Sequence, residues 1–255
     1  MIKIFSFVAS CAGEKSNTLR YSDALSAALT KQAETIGEHI SYESLTGDKL
    51  KINFCRSCNN CFKKGVCPLD ETDDIKWLKE KFLSADIIFF GTPVYSGDIS
   101  GVARCVFDRI SYWAHRFELA GKIVAVFSTS SGNHMQETAD RLKFFFEYMG
   151  AVVATSSYAV TTAGHPNLYL EHELNPAADE ISKKILDVWK NPAPNITEQI
   201  EKYFAIRNLM TKRALLYEKL TDVKPWEKFV VCHSRGMENY STYAEYFISR
   251  RKHLS

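Results

Sequence analysis

The chain has 255 residues, 45% hydrophobic and 24% charged, with 12 Gly and 7 Pro. That composition excludes a disordered, collagenous or low-complexity chain, and a chain of this length needs no disulfides to bury a core. With 32 Lys and Arg against 30 Asp and Glu, the net charge is +2, too neutral for a protein built around nucleic acid.

Residues 2–8 form a β-rich run, followed by a polar loop. Residues 18–36 carry Leu19, Leu25, Ala28, Leu29 and Ile36 at helical spacing. A weaker strand is predicted over 39–45, then a cysteine-rich loop, then a helix over 72–83. Residues 86–90 are an apolar run ending at Gly91, as expected of a central strand buried on both faces. A helix over 104–116 follows. A second buried strand is predicted over 122–127, a helix over 136–149, a strand over 151–157 and an amphipathic helix over 176–189. Five strands alternating with helices predict an α/β fold, a doubly wound five-stranded parallel sheet.

The composition changes at Asn191-Pro192-Ala193-Pro194-Asn195, a linker signal. The chain is therefore divided into a sheet domain, 1–190, and a mostly helical extension, 191–255. The extension shows one long helical pattern over 196–220, an apolar stretch over 225–231 with Trp226, Phe229 and Val230, and an aromatic end over 237–255. It is too small for a second full core, so it is expected to pack on the sheet domain or on a second subunit. The basic run Arg250-Arg251-Lys252 reads as a solvated tail.

No stretch approaches the ~20 apolar residues of a membrane span, and the apolar start is too short for a signal segment. The expected setting is cytoplasmic, with neither membrane nor nucleic acid as partner. Seven cysteines in that setting are thiols rather than disulfides, and clustered ones point to metal or redox chemistry.

In an open parallel sheet, ligands bind outside the carboxyl ends of the strands. Three loops there are dense in small polar residues. The first, Ser10 to Thr18, leads into a helix. Its Ser16, Asn17 and Thr18 suit either an N-cap or a phosphate at a helix N-terminus. The loop is neither a Walker loop nor a G-x-G-x-x-G. The third, Gly91-Thr92-Pro93-Val94-Tyr95-Ser96-Gly97, offers a stiff turn and an aromatic face. The fourth, Ser128-Thr129-Ser130-Ser131-Gly132-Asn133-His134, suits close backbone approach to a ligand.

The order strand–Ser-Asn-Thr–helix, strand–Thr-Pro-Val-Tyr, helix with Phe107-Asp108-Arg109, strand–Ser-Thr-Ser-Ser-Gly resembles the flavodoxin-like family of NAD(P)H-dependent FMN reductases over residues 2–190. The resemblance implies FMN as cofactor, with its phosphate on Ser10, Ser16, Asn17 and Thr18. It places the flavin ring against Pro93, Val94, Tyr95, Ser96, Ser128, Thr129, Ser130 and Gly132. It also implies a homodimer or homotetramer. The chain departs from the family pattern where Ala9-Ser10-Cys11-Ala12 stands in place of Gly-Ser-Pro-Arg.

Cys55, Cys58, Cys61 and Cys67, the last followed by Pro68, have spacing like that of bacterial ferredoxin ligands. They also resemble the iron–sulfur flavoprotein branch of the same family, which carries a [4Fe–4S] cluster on this loop. Other members carry a similar loop without a cluster, and Gly65-Val66-Cys67 and Asp73-Asp74 fit that pattern too. Cluster, zinc and free thiols all remain open from the spacing. Cys105 reads as a buried small hydrophobe and Cys11 as a loop thiol. His134 and His165 are candidate pocket-border residues. Asp108 and Arg109 are candidates for helix-spaced ion pairs or for a subunit interface.

The expected activity is an FMN oxidoreductase that takes electrons from NAD(P)H as co-substrate and passes them to a small-molecule or protein acceptor. The alternative is a one-electron carrier between proteins. No Ser-His-Asp order and no H-E-x-x-H supports hydrolysis.

Overall fold

The structure is a computed structural model that describes residues 1–161, 174–220 and 235–252. Five parallel strands lie in the order β2-β1-β3-β5-β6: β1 Ile2–Val8, β2 Ile40–Thr46, β3 Ile87–Tyr95, β5 Ile123–Ser130 and β6 Val152–Val160. A two-residue strand, β4 Asp98–Ile99, pairs antiparallel with β3. Helix α1 is Asn17–Glu34, α2 Asn60–Lys64, α3 Ile75–Ser84, α4 Gly101–Ile110 and α5 Met135–Tyr148; α6 is Leu174–Lys190, α7 Glu198–Leu220 and α8 Tyr243–Lys252.

The continuous apolar runs follow from two cores, one on each face of the sheet. Ile87 and Phe89 of β3 join Leu25, Leu29, Ile185 and Leu186 on one side. Ile88 and Phe90 join Leu78, Phe82, Phe107 and Phe146 on the other. Successive side chains of a strand alternate faces, so a strand sandwiched between helix layers is apolar at every position.

The third strand runs further than the apolar run predicted. Thr92 and Pro93 still pair with Ser128 and Thr129 of β5. Beyond them the chain turns at Ser96 and Gly97, with φ of 53° and 77°, and returns as β4, pairing Val94 with Ile99 and Tyr95 with Asp98. Two adjacent left-handed residues are the geometry of a tight hairpin turn. Helix α4 begins earlier than expected, because Ser100 caps it: the Ala103 amide donates to Ser100 Oγ (3.2 Å), and the hydroxyl donates to the Ala9 carbonyl (2.6 Å). It ends at Ile110 in a 3-10 turn, Ser111–His115.

The described part of the extension packs on its own sheet domain. Phe204 of α7 meets Phe117 edge-on at 5.8 Å, and the Tyr243 ring lies 5.5 Å from Phe117. The Tyr243 hydroxyl donates to the Gly150 carbonyl. Glu201 of α7 accepts from the first-turn amides of Tyr243 (2.9 Å) and Ala244 (3.2 Å), fixing α8 against α7. The apolar stretch with Trp226, Phe229 and Val230, together with His165 and Cys232, lies outside the described residues.

Candidate functional site

The ends of β1, β3 and β5 bring the three polar loops to one edge of the sheet. In the first, Ser10 is buried and its carbonyl accepts from the Gly47 amide (2.9 Å). Ser16 is the N-cap of α1, accepting from the Leu19 amide at 3.3 Å. Asn17 opens the helix and accepts from Arg20 (3.4 Å). The first-turn amides of a helix have no partners within it. Thr18 is buried, and its Oγ1 lies 2.6 Å from Thr129 Oγ1 at the end of β5. That contact joins the first loop to the fourth.

Gly91 sits beside that contact. A Cβ there would stand 2.1 Å from the Phe127 ring and 2.7 Å from Thr18 Cγ2, so the bare backbone lets α1 close onto β3. Thr92 is fully buried and accepts from the Ser100 amide (3.0 Å). Pro93 and Val94 are half-buried, while Tyr95 and Ser96 are exposed at the hairpin tip. In the fourth loop the Ser128 hydroxyl is spent on the Met135 carbonyl (2.6 Å). Ser130 accepts from the Gly132 amide (3.2 Å), and Gly132 faces open space. His134, exposed at φ 57°, leans on the hairpin, its ring 3.3 Å from the position a Cβ on Gly97 would take.

This edge suits a flavin phosphate. Buried hydroxyls at Ser10 and Ser16 stand beside the N-terminus of an 18-residue helix, which favours an anion. Tyr95 supplies an exposed aromatic face at the rim.

The cysteine loop projects beside this edge. Cys55 and Cys58 are exposed, Cys61 and Cys67 half-buried, and all are free thiols. Cys55 Sγ accepts from the Ser57 amide (3.4 Å), and Cys58 Sγ from Asn60 Nδ2 (3.6 Å). Burial pushes the Cys61 thiol up, and the neighbouring Cys67 and Cys55 add to the shift. Among the described residues no three Cys, His, Asp or Glu side chains stand close enough to form a ready metal site. Cys105 is buried, as expected, with its sulfur 3.5 Å from the Asn53 carbonyl.

The neck of the loop is drawn shut by a buried charge network. Arg109, 2% exposed, donates to both carboxylate oxygens of Asp73, to Asp70 (3.1 Å) and to the Asn53 carbonyl (2.9 Å). The Asn53 amide donates to Asp73 (2.8 Å), and the Lys51 amide to Asp74 (2.7 Å). Lys79 closes the network on Asp70 at 2.7 Å. Burial acts to raise the Asp73 carboxyl, but the Arg109 hydrogen bond and the Asn53 and Ile75 amides outweigh it and hold it below its ordinary range. Arg109 thus pairs with residues 36 and 39 positions earlier in the chain. The helix-spaced pair expected of this segment belongs to Asp108, with Arg104 at 3.1 Å.

The four thiols have the donor chemistry of an iron–sulfur group, and Arg109 Nε is a buried donor left without a hydrogen-bond partner. The thiol set fits such a group once its sulfurs are drawn together.

A parallel sheet in this order, with its ligand-type loops at the first and third strands, is the flavodoxin-like architecture. In solved structures the fold is similar to an apo NADH:FMN oxidoreductase, at a TM-score of 0.55 and 16% identity over 76% of this chain and 94% of that one. Residues 2–165 match the family described as NADPH-dependent FMN reductase. An iron–sulfur flavoprotein of Methanocaldococcus jannaschii is 30% identical over 64% of this chain and 83% of its own length. One from Clostridioides difficile is 23% identical over 69% and 76%. The chain belongs to the NADPH-dependent FMN reductase family, in its iron–sulfur flavoprotein branch. It is a flavin-dependent oxidoreductase that uses FMN. Among the described residues no helix is long and apolar enough to cross a membrane.

Proposed function

We propose that the chain takes electrons from NAD(P)H onto FMN held by the three loops, and delivers them to a small-molecule or protein acceptor. The observation that carries this reading is the Thr18–Thr129 contact, which brings the first and fourth loops to one place. Ser10, Ser16 and the first turn of α1 would hold the phosphate. Asn17 and Thr18 would complete that end. Pro93, Val94, Tyr95 and Ser96 would border the ring on one side, with Ser128, Thr129, Ser130 and Gly132 on the other. Bound FMN supplies the conversion between two-electron and one-electron transfer, while the protein supplies binding and orientation.

Cys55, Cys58, Cys61 and Cys67 would hold a [4Fe–4S] cluster. The names of the curated relatives support this, as does a four-thiol donor set on one exposed loop. Free thiols on the described residues suit a cytoplasmic setting. The protein would act as a homodimer or homotetramer.

The test is iron and acid-labile sulfide per FMN on protein purified without oxygen, followed by NAD(P)H oxidation with an artificial acceptor. About four iron and four sulfide per flavin, with prompt turnover, is the expected result. Flavin without iron, persisting after reconstitution, removes the cluster. Bound flavin with negligible NAD(P)H turnover makes the chain a one-electron carrier. Absence of flavin overturns the assigned site.

A further inference from the structure

The linker that joins the sheet domain to the extension packs against β6 and closes a cavity of about 260 Å³ there. β6 ends the strand order and pairs with β5 alone, so its outer edge carries backbone groups that no neighbouring strand takes up. Its ladder shifts register between Val124 and Ala125, which pair with Val153 and Thr155 and leave Ala154 over. Such a bulge re-aims the side chains beside it. Thr155 is 7% exposed, and its hydroxyl opens onto the cavity with no hydrogen-bond partner among the described residues. Leaving a buried hydroxyl unpaired is costly, so this one calls for a partner inside the cavity. The other walls are cationic. Lys143 of α5 is half-buried, with Glu147 at 3.9 Å, beyond hydrogen-bond length. Lys184 of α6 is exposed and makes no ion pair among the described residues. Thr197 accepts from the Ile200 amide (3.3 Å) as the cap of α7, which brings the N-terminus of a 23-residue helix to the same wall. The nearest hydroxyl to an acid, Ser156, is spent on Asp140 (2.7 Å).

We propose that this cavity is an anion site, separate from the flavin edge, that takes a small phosphate monoester. Lys143, Lys184 and the N-terminal end of α7 hold the phosphate, and Thr155 donates its free hydroxyl to it. The positive end of a helix favours an anion, and lysines bind phosphate as point charges. The two lysines come from helices on opposite faces of the sheet, since α5 packs in the core of Phe90 and α6 in that of Phe89. That arrangement suits a tetrahedral dianion, whose oxygens point in several directions, better than a planar carboxylate. The site lies halfway along the edge strand, whereas the flavin loops stand at the ends of β1, β3 and β5. The inference therefore does not depend on where the flavin binds.

The test is calorimetric titration of glycerol phosphate, and separately of inorganic phosphate, into the full chain saturated with FMN. Two variants locate the binding. Lys184→Gln removes an exposed charge, and Thr155→Val keeps the shape and the strand while removing the hydroxyl, so both leave the fold intact. The wild-type protein should bind one ester per chain, more weakly as salt rises. Each variant should weaken that binding about tenfold, as expected for the loss of one charge-assisted hydrogen bond, with FMN affinity unchanged. Inorganic phosphate binding as tightly as the ester supports the anion site and makes free phosphate its ligand. No saturable binding of either probe at millimolar concentration overturns the proposal. Binding that both variants leave unchanged overturns it by placing the anion elsewhere, and loss of FMN from the variants overturns the separation from the flavin edge.

Discussion

Thr18 and Thr129 share one buried hydrogen bond, 2.6 Å long, between positions 111 residues apart. One hydroxyl donates and the other accepts, so the pair closes the seam between α1 and the end of β5 and leaves one hydroxyl proton unspent. Thr18→Val keeps the shape and strands Thr129. The expected loss is about 1–3 kcal/mol, or about 2–4 °C in Tm per kcal/mol for a chain of this size. Thermal unfolding of the flavin-free protein reads the packing term. FMN titration of the same variant reads the site, and unchanged affinity would place the phosphate elsewhere.

Gly91→Ala should be worse than its single methyl suggests. The new Cβ falls 2.1 Å from the Phe127 ring and 2.7 Å from Thr18, and neither neighbour has room to retreat in a two-sided core. Overpacking of this kind costs about 1–3 kcal/mol. Denaturant unfolding should show a lower midpoint with an unchanged slope.

Asp73→Asn breaks a buried pair by removing one partner, which costs about 3–5 kcal/mol. The pH signature is specific. A depressed folded carboxyl stabilises above the unfolded value, near 3.9, and that contribution disappears as pH falls through the folded value. Wild-type stability should therefore fall below about pH 4, and the variant should show a flatter acid limb in equilibrium unfolding.

His115 gives a second pH window. Burial, and then the neighbouring Arg207 charge, lower it from 6.5 to about 4, and Arg207 lies 2.8 Å from Nδ1. Between those values the unfolded chain binds a proton that the folded chain refuses, so stability falls as pH drops from 6.5 to 4. His115→Gln should remove that slope while leaving the Asp73 limb below pH 4 in place.

The proposed assembly is checked by light scattering on the eluting protein. A mass of two or four times 29.0 kDa is expected, and a single-chain mass removes it.

The sheet was readable because strands buried on both faces are apolar throughout. Residues 86–90 and 122–127 announced themselves in this way. The polar loops at the strand ends were readable from composition. The β3–β4 hairpin was not, because a two-residue strand has no period and Pro93 argues locally for a turn. It pairs all the same, since register with β5 carries Thr92 and Pro93 along. Arg109 could be noticed only as part of Phe107-Asp108-Arg109. Its partners Asp70 and Asp73 come from another loop, and no spacing rule reaches across 36 residues. His115 and Arg207 escaped for the same reason, since their contact spans 92 positions.

The closed neck of the cysteine loop makes it an interchangeable cassette. Lys51 and Asn53 enter beside Asp73 and Asp74, already hydrogen-bonded to them. The length and sequence of the segment between can therefore change while β2, α3 and the sheet edge keep their places. Change within the loop is thereby uncoupled from the sheet that carries it.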